Sequence, residues 1–288
     1  MNCYNGEKFL RQAIESVIGQ AWTNWELIFW DNQSTDRSAD IFRSYDDHRL
    51  KYFYASKHTS LYEARNYALE KAEGDFYAFL DVDDWWASDK LEKQMPLFGD
   101  PEVGIVCSNY WVINELKNRN SVARLRSVPQ GWILQDLLND YYVGLLTLVV
   151  RRSAVNSLSH LFDARYHVIG DMDIVVRLSV NWKLAYLHEC VAYYRIHGAN
   201  ETVLHSARHI QEMELWIADM RRNKSLGLIF DESDFILQFN YIKAMNELKQ
   251  CNKPRAYELM KSMRWGRLKW RLLVVLILPI SFLQRIKK

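Results

Sequence analysis

Acidic residues directly follow two apolar runs that are typical of buried strands. Asp31 comes after the run at residues 26–30, and Asp81-Val82-Asp83-Asp84 comes after the run at 76–80. Three carboxylates within four residues repel one another unless a cation or hydrogen-bond donors compensate their charge. Carboxylate oxygens suit Mg²⁺ or Mn²⁺, with phosphate oxygens completing the coordination. The spacing therefore predicts a divalent-cation site or, as the alternative, a solvated acidic turn that caps the next helix.

The pattern of apolar residues predicts the elements that position these side chains. In the first half, helices are expected over residues 10–18, 36–45, 61–72 and 88–97, and strands over 26–30, 51–54, 76–80 and 103–107. Strands separated by helices indicate an α/β fold whose mostly parallel sheet is covered on both faces and binds ligands at the carboxyl ends of its strands. Further along, strands are expected over 143–150 and 184–196, and helices over 171–180, 207–222, 232–250 and 254–264.

Several short motifs occur in a characteristic order along the chain. They are Tyr4-Asn5-Gly6, 13–17, 26–36, Ala64-Arg65-Asn66, 72–75 and 79–86, followed by Gly170-Asp171-Met172-Asp173 through Arg177 and by Tyr194-Arg195-Ile196-His197. In order and spacing, this set resembles the inverting family 2 glycosyltransferases of the GT-A fold. The resemblance implies a Rossmann-like GT-A domain with a helical C-terminal region. It also implies a hexosyltransferase-type enzyme that moves a sugar from a nucleotide-diphosphate sugar to a glycan or lipid-linked acceptor in cell-surface polysaccharide synthesis.

The resemblance assigns donor-side roles to five residues. Asp31 would accept a hydrogen bond from the nucleobase, and Arg65 would face the nucleotide phosphates. Asp81 would lie near the ribose and Asp83 would bind Mn²⁺ or Mg²⁺, with Asp81 as a further metal ligand. His197 would contact the metal or the phosphates, although a turn at Gly198 is an alternative reason for a histidine there. A UDP-sugar is the expected donor.

The acceptor side is assigned from the second set of motifs. Trp86 matches an aromatic position near the sugar and the acceptor. Asp171 matches the general base, which must take the proton of the attacking hydroxyl. Two departures from the family pattern affect these expectations: the acid that normally precedes the base is Gly170 here, and Asn32 replaces the acid after Asp31. A charge favoured by the N-terminal end of a helix is the alternative role for Asp171.

The resemblance and the helical patterns after residue 200 together imply the domain organisation. The 288 residues are 49% apolar and 25% charged, which excludes a disordered or coiled-coil chain. We expect a GT-A domain over 1–200, with a nucleotide-sugar half at 1–110 and an acceptor half at 111–200. A helical region would follow at 201–264 and a basic, membrane-associating tail at 265–288. The four scattered cysteines and the absence of an apolar signal core at the N-terminus predict a cytoplasmic protein.

The tail differs in charge from the rest of the chain. From Arg264 onward there are seven Lys or Arg and no acid, which leaves 30 basic and 35 acidic residues before it, a net charge of −5. The apolar run at 272–280 is shorter than the ~20 residues that span a bilayer. The sequence therefore predicts peripheral attachment to the anionic inner face of the cell membrane, with a last helix packed on the catalytic body as the alternative. An acidic body makes nucleic acid a poor partner.

The N-terminus predicts an incomplete sheet. Met1 lies almost at the Tyr4-Asn5 turn, so the first strand of the family's sheet is expected to be missing. With the departures at Asn32 and Gly170, this keeps open an inactive binding protein of the same descent. A sugar nucleotidyltransferase is a further alternative, but the sequence has no glycine-rich phosphate loop near its N-terminus.

Overall fold

The computed structural model describes residues 1–198, 200, 206–222 and 232–277. The chain divides into two compact units. The first comprises Met1–Leu134 and Tyr141–Asp219, and the second comprises Gln135–Asp140 and Met220–Lys288. No helix within the described ranges is both long enough and apolar enough to cross a membrane.

The strands of the described residues all belong to the first unit. They are β1 (Asn2–Cys3), β2 (Leu27–Asp31), β3 (Leu50–Tyr54), β4 (Phe76–Ala78), β5 (Trp85–Trp86), β6 (Val103–Asn114), β7 (Arg119–Val122), β8 (Val149–Arg151) and β9 (Lys183–Ile196).

The α-helices account for most of the remaining described structure. They are α1 (Leu10–Ile18), α2 (Ser38–Arg43), α3 (Leu61–Lys71), α4 (Lys90–Gln94), α5 (Leu134–Asn139), α6 (Arg152–Asn156), α7 (Gly170–Ser179), α8 (Ser206–Arg222), α9 (Ser233–Lys249), α10 (Lys253–Ser262) and α11 (Arg267–Ile277). Two short 3-10 helices occupy Met95–Gly99 and Leu145–Thr147. The alternation of helices and strands and the helical C-terminal region confirm the predicted α/β fold class.

The first sheet has three parallel strands in the order β1-β2-β3. The prediction that the first strand is missing is wrong, because β1 pairs in parallel with Trp30 and Asp31 of β2. Its backbone bonds include those from the N–H of Asn32 to the carbonyl oxygen of Cys3 (2.8 Å) and from the N–H of Trp30 to that of Met1 (2.9 Å). A strand of two residues escaped detection because a periodic pattern needs a longer run.

The second sheet is mixed, with six strands in the order β4-β8-β6-β9-β5 and with β7 paired to β6. β6 and β9 are parallel, whereas the other pairings are antiparallel. All strand pairs of the first sheet are therefore parallel, whereas most pairs of the second sheet are antiparallel. The strand predicted over 143–150 is mostly wrong, because the backbone N–H and the hydroxyl of Thr147 both donate to the carbonyl oxygen of Gly144 and tighten this segment into a 3-10 turn.

α1 packs against the hydrophobic core of the first unit. Leu10, Ala13, Ile14 and Val17 follow helical spacing and are all buried against residues of β2. Near this core, residues of β2 and β4 line a cavity of about 530 Å³ that also includes Arg65 and Trp86.

Candidate active site

Asp31 ends β2 and is completely buried. Its Oδ1 accepts a bond of 2.7 Å from the N–H of Ser34, and its Oδ2 accepts one of 2.7 Å from the hydroxyl of Tyr52. Burial and the contact with Asp31 raise the pKa of Tyr52. Both carboxylate oxygens are thus bonded within the protein, where they tie the end of β2 to the turn at Ser34 and to the middle of β3. The contact of Asp31 with a nucleobase stays a prediction.

Asn32, at the position where the family has a second acid, is also buried and serves the protein scaffold. Its Nδ2 donates to the carbonyl oxygen of Thr59 at 2.8 Å, and its Oδ1 accepts from the N–H of Thr59 at 3.1 Å. A carboxylate could accept the second of these bonds but could not donate the first. The amide therefore suits its surroundings better than the acid that it replaces.

Arg65 and Asp81 form the first part of the site. Arg65 lies in α3, whose N-terminus is capped by the Ser60 hydroxyl. Its Nη2 donates to Asp81 Oδ1 at 2.6 Å, and its guanidinium lies 5.1 Å from the ring centre of Tyr62. Arg65 is buried, whereas the Asp81 side chain keeps 39% of its exposure. The Asp81 carboxylate is thus accessible to solvent, and the buried guanidinium of Arg65 lies directly beside it.

Asp83 and His197 form the second part. The Nε2 of His197 lies 3.0 Å from Asp83 Oδ2, although the two residues are 114 positions apart. Burial, together with the charge of Asp81, raises the pKa of Asp83. Asn200 connects the pair, because its Oδ1 accepts from the His197 N–H at 2.8 Å and its Nδ2 lies 3.4 Å from Asp83 Oδ2. The sequence motifs did not identify Asn200.

Arg195, near the end of β9, anchors the loop formed by residues 81–84, which we call the acidic loop. Its Nε donates to the carbonyl oxygen of Asp83 at 2.9 Å, and its backbone N–H donates to Asp84 Oδ1 at 2.9 Å. The guanidinium lies between the rings of Phe9 and Trp85, at 4.5 and 4.6 Å from their centres. Burial and the charge of Asp83 raise the pKa of Asp84 well above its ordinary value. Asp84 is therefore part of the scaffold of the loop, with its carboxylate directed to backbone.

Asp171 lies in the first turn of α7 and is half-buried. Its Oδ1 accepts from the N–H of Met172 at 2.9 Å and lies 3.3 Å from the hydroxyl of Tyr62. Burial raises the pKa of Asp171, while the positive charge of Arg65 opposes the rise. A carboxylate with a raised pKa is a better proton acceptor at neutral pH, as a general base requires. Tyr62, which contacts both Arg65 and Asp171, was not identified from the sequence.

The ring of Tyr62 accounts for the presence of a glycine at position 170. A Cβ added at residue 170 would lie 2.6 Å from a ring carbon of Tyr62, closer than real contacts allow. A glutamate at this position would therefore displace the ring whose hydroxyl bonds Asp171. The departure from the family pattern at Gly170 and the presence of Tyr62 are thus physically coupled.

Two residues of α8 hold the segment that carries Asp171. The carboxylate of Glu212 accepts bonds from the backbone N–H groups that directly precede α7, those of His167 (2.8 Å), Val168 (2.8 Å) and Ile169 (3.2 Å). The indole N–H of Trp216 donates to Asp173 Oδ1 at 3.1 Å, and Arg177 donates two bonds to Asp173 Oδ2. Asp173 and Arg177, four residues apart in α7, therefore form an ion pair. The role of Glu212 was not predicted.

Trp86 is buried beside the site. Its indole N–H donates to the carbonyl oxygen of Leu146 at 2.7 Å, and the Nζ of Lys90 lies 4.1 Å from its ring centre. Burial lowers the pKa of Lys90 to about 7. The indole nitrogen is thus used within the protein, so the predicted contact of Trp86 with sugar or acceptor depends on its ring surface.

The acidic loop suits a divalent cation whose coordination is completed by substrate. Within the described part of the chain, no three His, Cys, Asp or Glu side chains converge as a complete metal site. Cations that bind nucleotides, however, need only one or two carboxylates when phosphate oxygens supply further ligands. Asp83 and His197 offer an oxygen and a nitrogen 3.0 Å apart, and a cation would relieve the repulsion between Asp83 and Asp81. These residues therefore fit such an ion.

Comparisons with known proteins define the class of this chain. The model of the family described as Glycosyl transferase family 2 matches residues 1–150. The Bacillus subtilis teichuronic acid biosynthesis glycosyltransferase TuaG is 29% identical over 198 residues, covering 67% of this chain and 76% of that protein. The Escherichia coli UDP-Glc:alpha-D-GlcNAc-diphosphoundecaprenol beta-1,3-glucosyltransferase WfgD is 34% identical over 162 residues, covering 56% of this chain and 62% of that protein.

Solved structures support the fold. The S. aureus TarS 1–349 structure in complex with UDP-GlcNAc is similar with a TM-score of 0.63 at 16% identity, covering 95% of this chain and 82% of that one. The mannosyltransferase PcManGT from Pyrobaculum calidifontis, in complex with GDP-Man and Mn²⁺, gives a TM-score of 0.59 at 15% identity, covering 99% of this chain and 82% of that one. The fold is that of a GT-A-type glycosyltransferase. The chain belongs to glycosyl transferase family 2.

Proposed function

We propose that this glycosyltransferase is inverting and metal-dependent, and that it moves a sugar from a UDP-sugar to a lipid-linked saccharide during synthesis of a cell-surface polysaccharide. The observation that carries the proposal is the chain of contacts from Asp81 through Arg65 and Tyr62 to Asp171. It links the predicted donor-binding carboxylate to the predicted base across three elements. Such an arrangement suits a reaction in which leaving group and nucleophile act at one carbon.

The donor side would stabilise the leaving nucleoside diphosphate. Asp83 and His197, with Asp81 nearby, would hold Mn²⁺ or Mg²⁺, and the cation would supply positive charge to the diphosphate oxygens as they gain negative charge. Arg65 adds a fixed positive charge behind Asp81. Arg195 and Asn200 hold the acidic loop in place through Asp83.

The acceptor side would activate a hydroxyl group. The hydroxyl oxygen attacks the anomeric carbon, the bond from that carbon to the diphosphate breaks, and the hydroxyl proton passes to a carboxylate oxygen of Asp171. A single displacement of this kind inverts the configuration at the anomeric carbon. The raised pKa of Asp171 supports its role as the proton acceptor.

The relatives suggest which donor and acceptor to try first. WfgD is named as a transferase of glucose from UDP-glucose to a GlcNAc-diphosphoundecaprenol. By that analogy we propose UDP-glucose as the donor and a lipid-linked GlcNAc diphosphate as the acceptor. We further propose that residues 1–110 bind the nucleotide sugar and that 111–200 contribute the acceptor side. The basic tail at 265–288, which follows the helical region at 201–264, would attach the protein to the inner face of the cell membrane.

The proposal is tested by supplying purified full-length protein with UDP-glucose, UDP-GlcNAc or GDP-mannose and a synthetic GlcNAc-diphosphate lipid. Nucleotide release and the linkage of the product are measured with Mn²⁺, with Mg²⁺ and with EDTA. We expect β-linked product from UDP-glucose only when a metal is present, and a loss of at least about 100-fold in Asp83→Asn. The exposed Asp75→Asn is the matched control.

Two results would count against the proposal. Full activity of Asp83→Asn, or in EDTA, would contradict the metal role. Tight UDP binding without transfer to any acceptor tried, by a correctly folded protein, would favour the inactive binding protein.

A further inference from the structure

One face of α11 consists of exposed apolar side chains. Trp270, Val274 and Ile277 retain 61%, 59% and 80% of their exposure. Their separations of four and three residues place them on the same side of the helix. Trp265, just before the helix, is 69% exposed, and its ring centre lies 5.8 Å from that of Trp270. We call Trp270, Val274 and Ile277, together with Trp265, the outer face.

The opposite side of α11 belongs to the core of the second unit. Leu272 is completely buried in a cluster with Ala244, Leu248 and Met260 of the neighbouring helices α9 and α10. The Nζ of Lys269 points inward and donates to the carbonyl oxygen of Met263 at 2.7 Å. Among the described residues of its unit, α11 packs through its inner side, and the outer face takes no part in that core.

Positive charge adjoins the outer face. Arg267 and Arg271 are exposed and are separated by one helical turn. Helical geometry places Arg267 beside Trp270, three residues on, and Arg271 beside Val274, three residues on. The sequence contains no acid from Arg264 to its end. Exposed tryptophans beside arginines, on an apolar face without acidic residues, are the composition of helices that lie in the interface of an anionic bilayer.

We propose that the outer face of α11 docks on an anionic lipid surface, with the helix axis in the plane of the membrane. Trp265, Trp270, Val274 and Ile277 enter the region between headgroups and acyl chains, while Arg267 and Arg271 contact lipid phosphates. A second copy of the chain is a poorer occupant, because its own outer face offers Arg267 and Arg271 no acidic partner. The proposal rests on the proposed membrane location of the tail and names the surface that makes the contact, and it does not depend on the identity of the donor or acceptor.

The test is co-sedimentation of the full chain with vesicles of phosphatidylglycerol mixed with phosphatidylcholine, and with vesicles of phosphatidylcholine alone. We expect binding to the anionic vesicles that weakens as salt is added. The double variant Arg267→Gln/Arg271→Gln should bind these vesicles about thirtyfold more weakly. Trp270→Ser/Ile277→Ser should bind at least about tenfold more weakly.

Matched controls separate this surface from general effects. Arg126→Gln and Trp132→Ser change exposed residues of the first unit and should leave vesicle binding unchanged. All variants should keep the wild-type melting temperature, since none of the altered side chains is buried.

Three outcomes would overturn the proposal: equal binding to neutral and anionic vesicles, retained binding in both double variants, or a vesicle-independent dimer that Trp270→Ser/Ile277→Ser dissolves. Loss of sugar transfer with unchanged vesicle binding would instead bear on the proposed enzymatic activity alone.

Discussion

Glu212 provides a sharp test of how the site is held together. The substitution Glu212→Gln keeps the size of the side chain but removes its charge and one of its two acceptor oxygens. In the protein, the carboxylate is buried and accepts three backbone N–H groups, from His167, Val168 and Ile169, at 2.8, 2.8 and 3.2 Å. These residues immediately precede Gly170, the first residue of α7.

The expected loss of stability follows from those contacts. A glutamine carbonyl can accept two of the three bonds, and its NH₂ group then faces a backbone donor. One N–H loses its acceptor, and the two remaining bonds lose their charged partner, which together should cost about 3 kcal/mol. For a unit of this size, that lowers the melting temperature by roughly 6–12 °C.

Activity should change in a specific way. Because the three N–H groups belong to the segment that leads into Asp171, their release should let the carboxylate move by a fraction of an ångström or more. Misplacement of a catalytic group on that scale costs about 10- to 100-fold in kcat. The KM for the donor should stay near its wild-type value, since Arg65, Asp81 and Asp83 make no contact with Glu212 in the structure.

Melting temperature and steady-state transfer are measured for wild type, Glu212→Gln and Glu214→Gln. Glu214 is exposed on the same helix, so its substitution should change stability by less than about 0.5 kcal/mol. Equal stability of Glu212→Gln and wild type, or a raised donor KM with unchanged kcat, would refute the reasoning that Glu212 positions the base.

Four further predictions concern the network around Asp171. Because burial raises the pKa of Asp171, kcat should fall as pH drops towards that raised value, and a pH-independent kcat would contradict the assignment. The folded protein then binds this proton more tightly than the unfolded chain, so ionised Asp171 lowers stability at neutral pH and Asp171→Asn should raise the melting temperature there, with the gain shrinking in acid. Gly170→Ala should cost about 1–3 kcal/mol through its clash with Tyr62, whereas Gly99→Ala, with no atom within 4 Å of the added Cβ, should be nearly neutral by thermal denaturation. Arg65→Lys should raise the donor KM about tenfold with a smaller change in kcat, and an unchanged KM would exclude Arg65 from donor binding.

The clustering of the candidate donor-side residues could largely be predicted from the sequence, whereas their role in donor binding stays a prediction. Asp31 and Asp81-Val82-Asp83-Asp84 follow apolar runs, and the link between a strand end and a ligand site is local in the chain. The structure places Arg65 on Asp81 and His197 on Asp83, so motifs distant in sequence meet as the resemblance implies.

The support around the base could not be predicted. Tyr62 and Asp171 are 109 residues apart, and Glu212 lies 43–45 residues from the N–H groups that it accepts. Apolar periodicity shows which side of a helix is buried but not which polar group it meets there. The short strand β1 was missed for a different reason, because two residues carry no periodic pattern. The 3-10 turn at Leu145–Thr147 depends on a side-chain bond to Gly144 that competes with strand formation.

The central claim is that Asp171 takes the proton of the acceptor hydroxyl at a site that holds the donor independently of it. The most direct measurement is single-turnover sugar transfer by Asp171→Asn beside calorimetric titration of the same protein with UDP. We predict that transfer falls by at least about 1,000-fold while the UDP dissociation constant stays within about threefold of wild type. Transfer at more than a tenth of the wild-type rate by a variant that binds UDP normally would contradict the account.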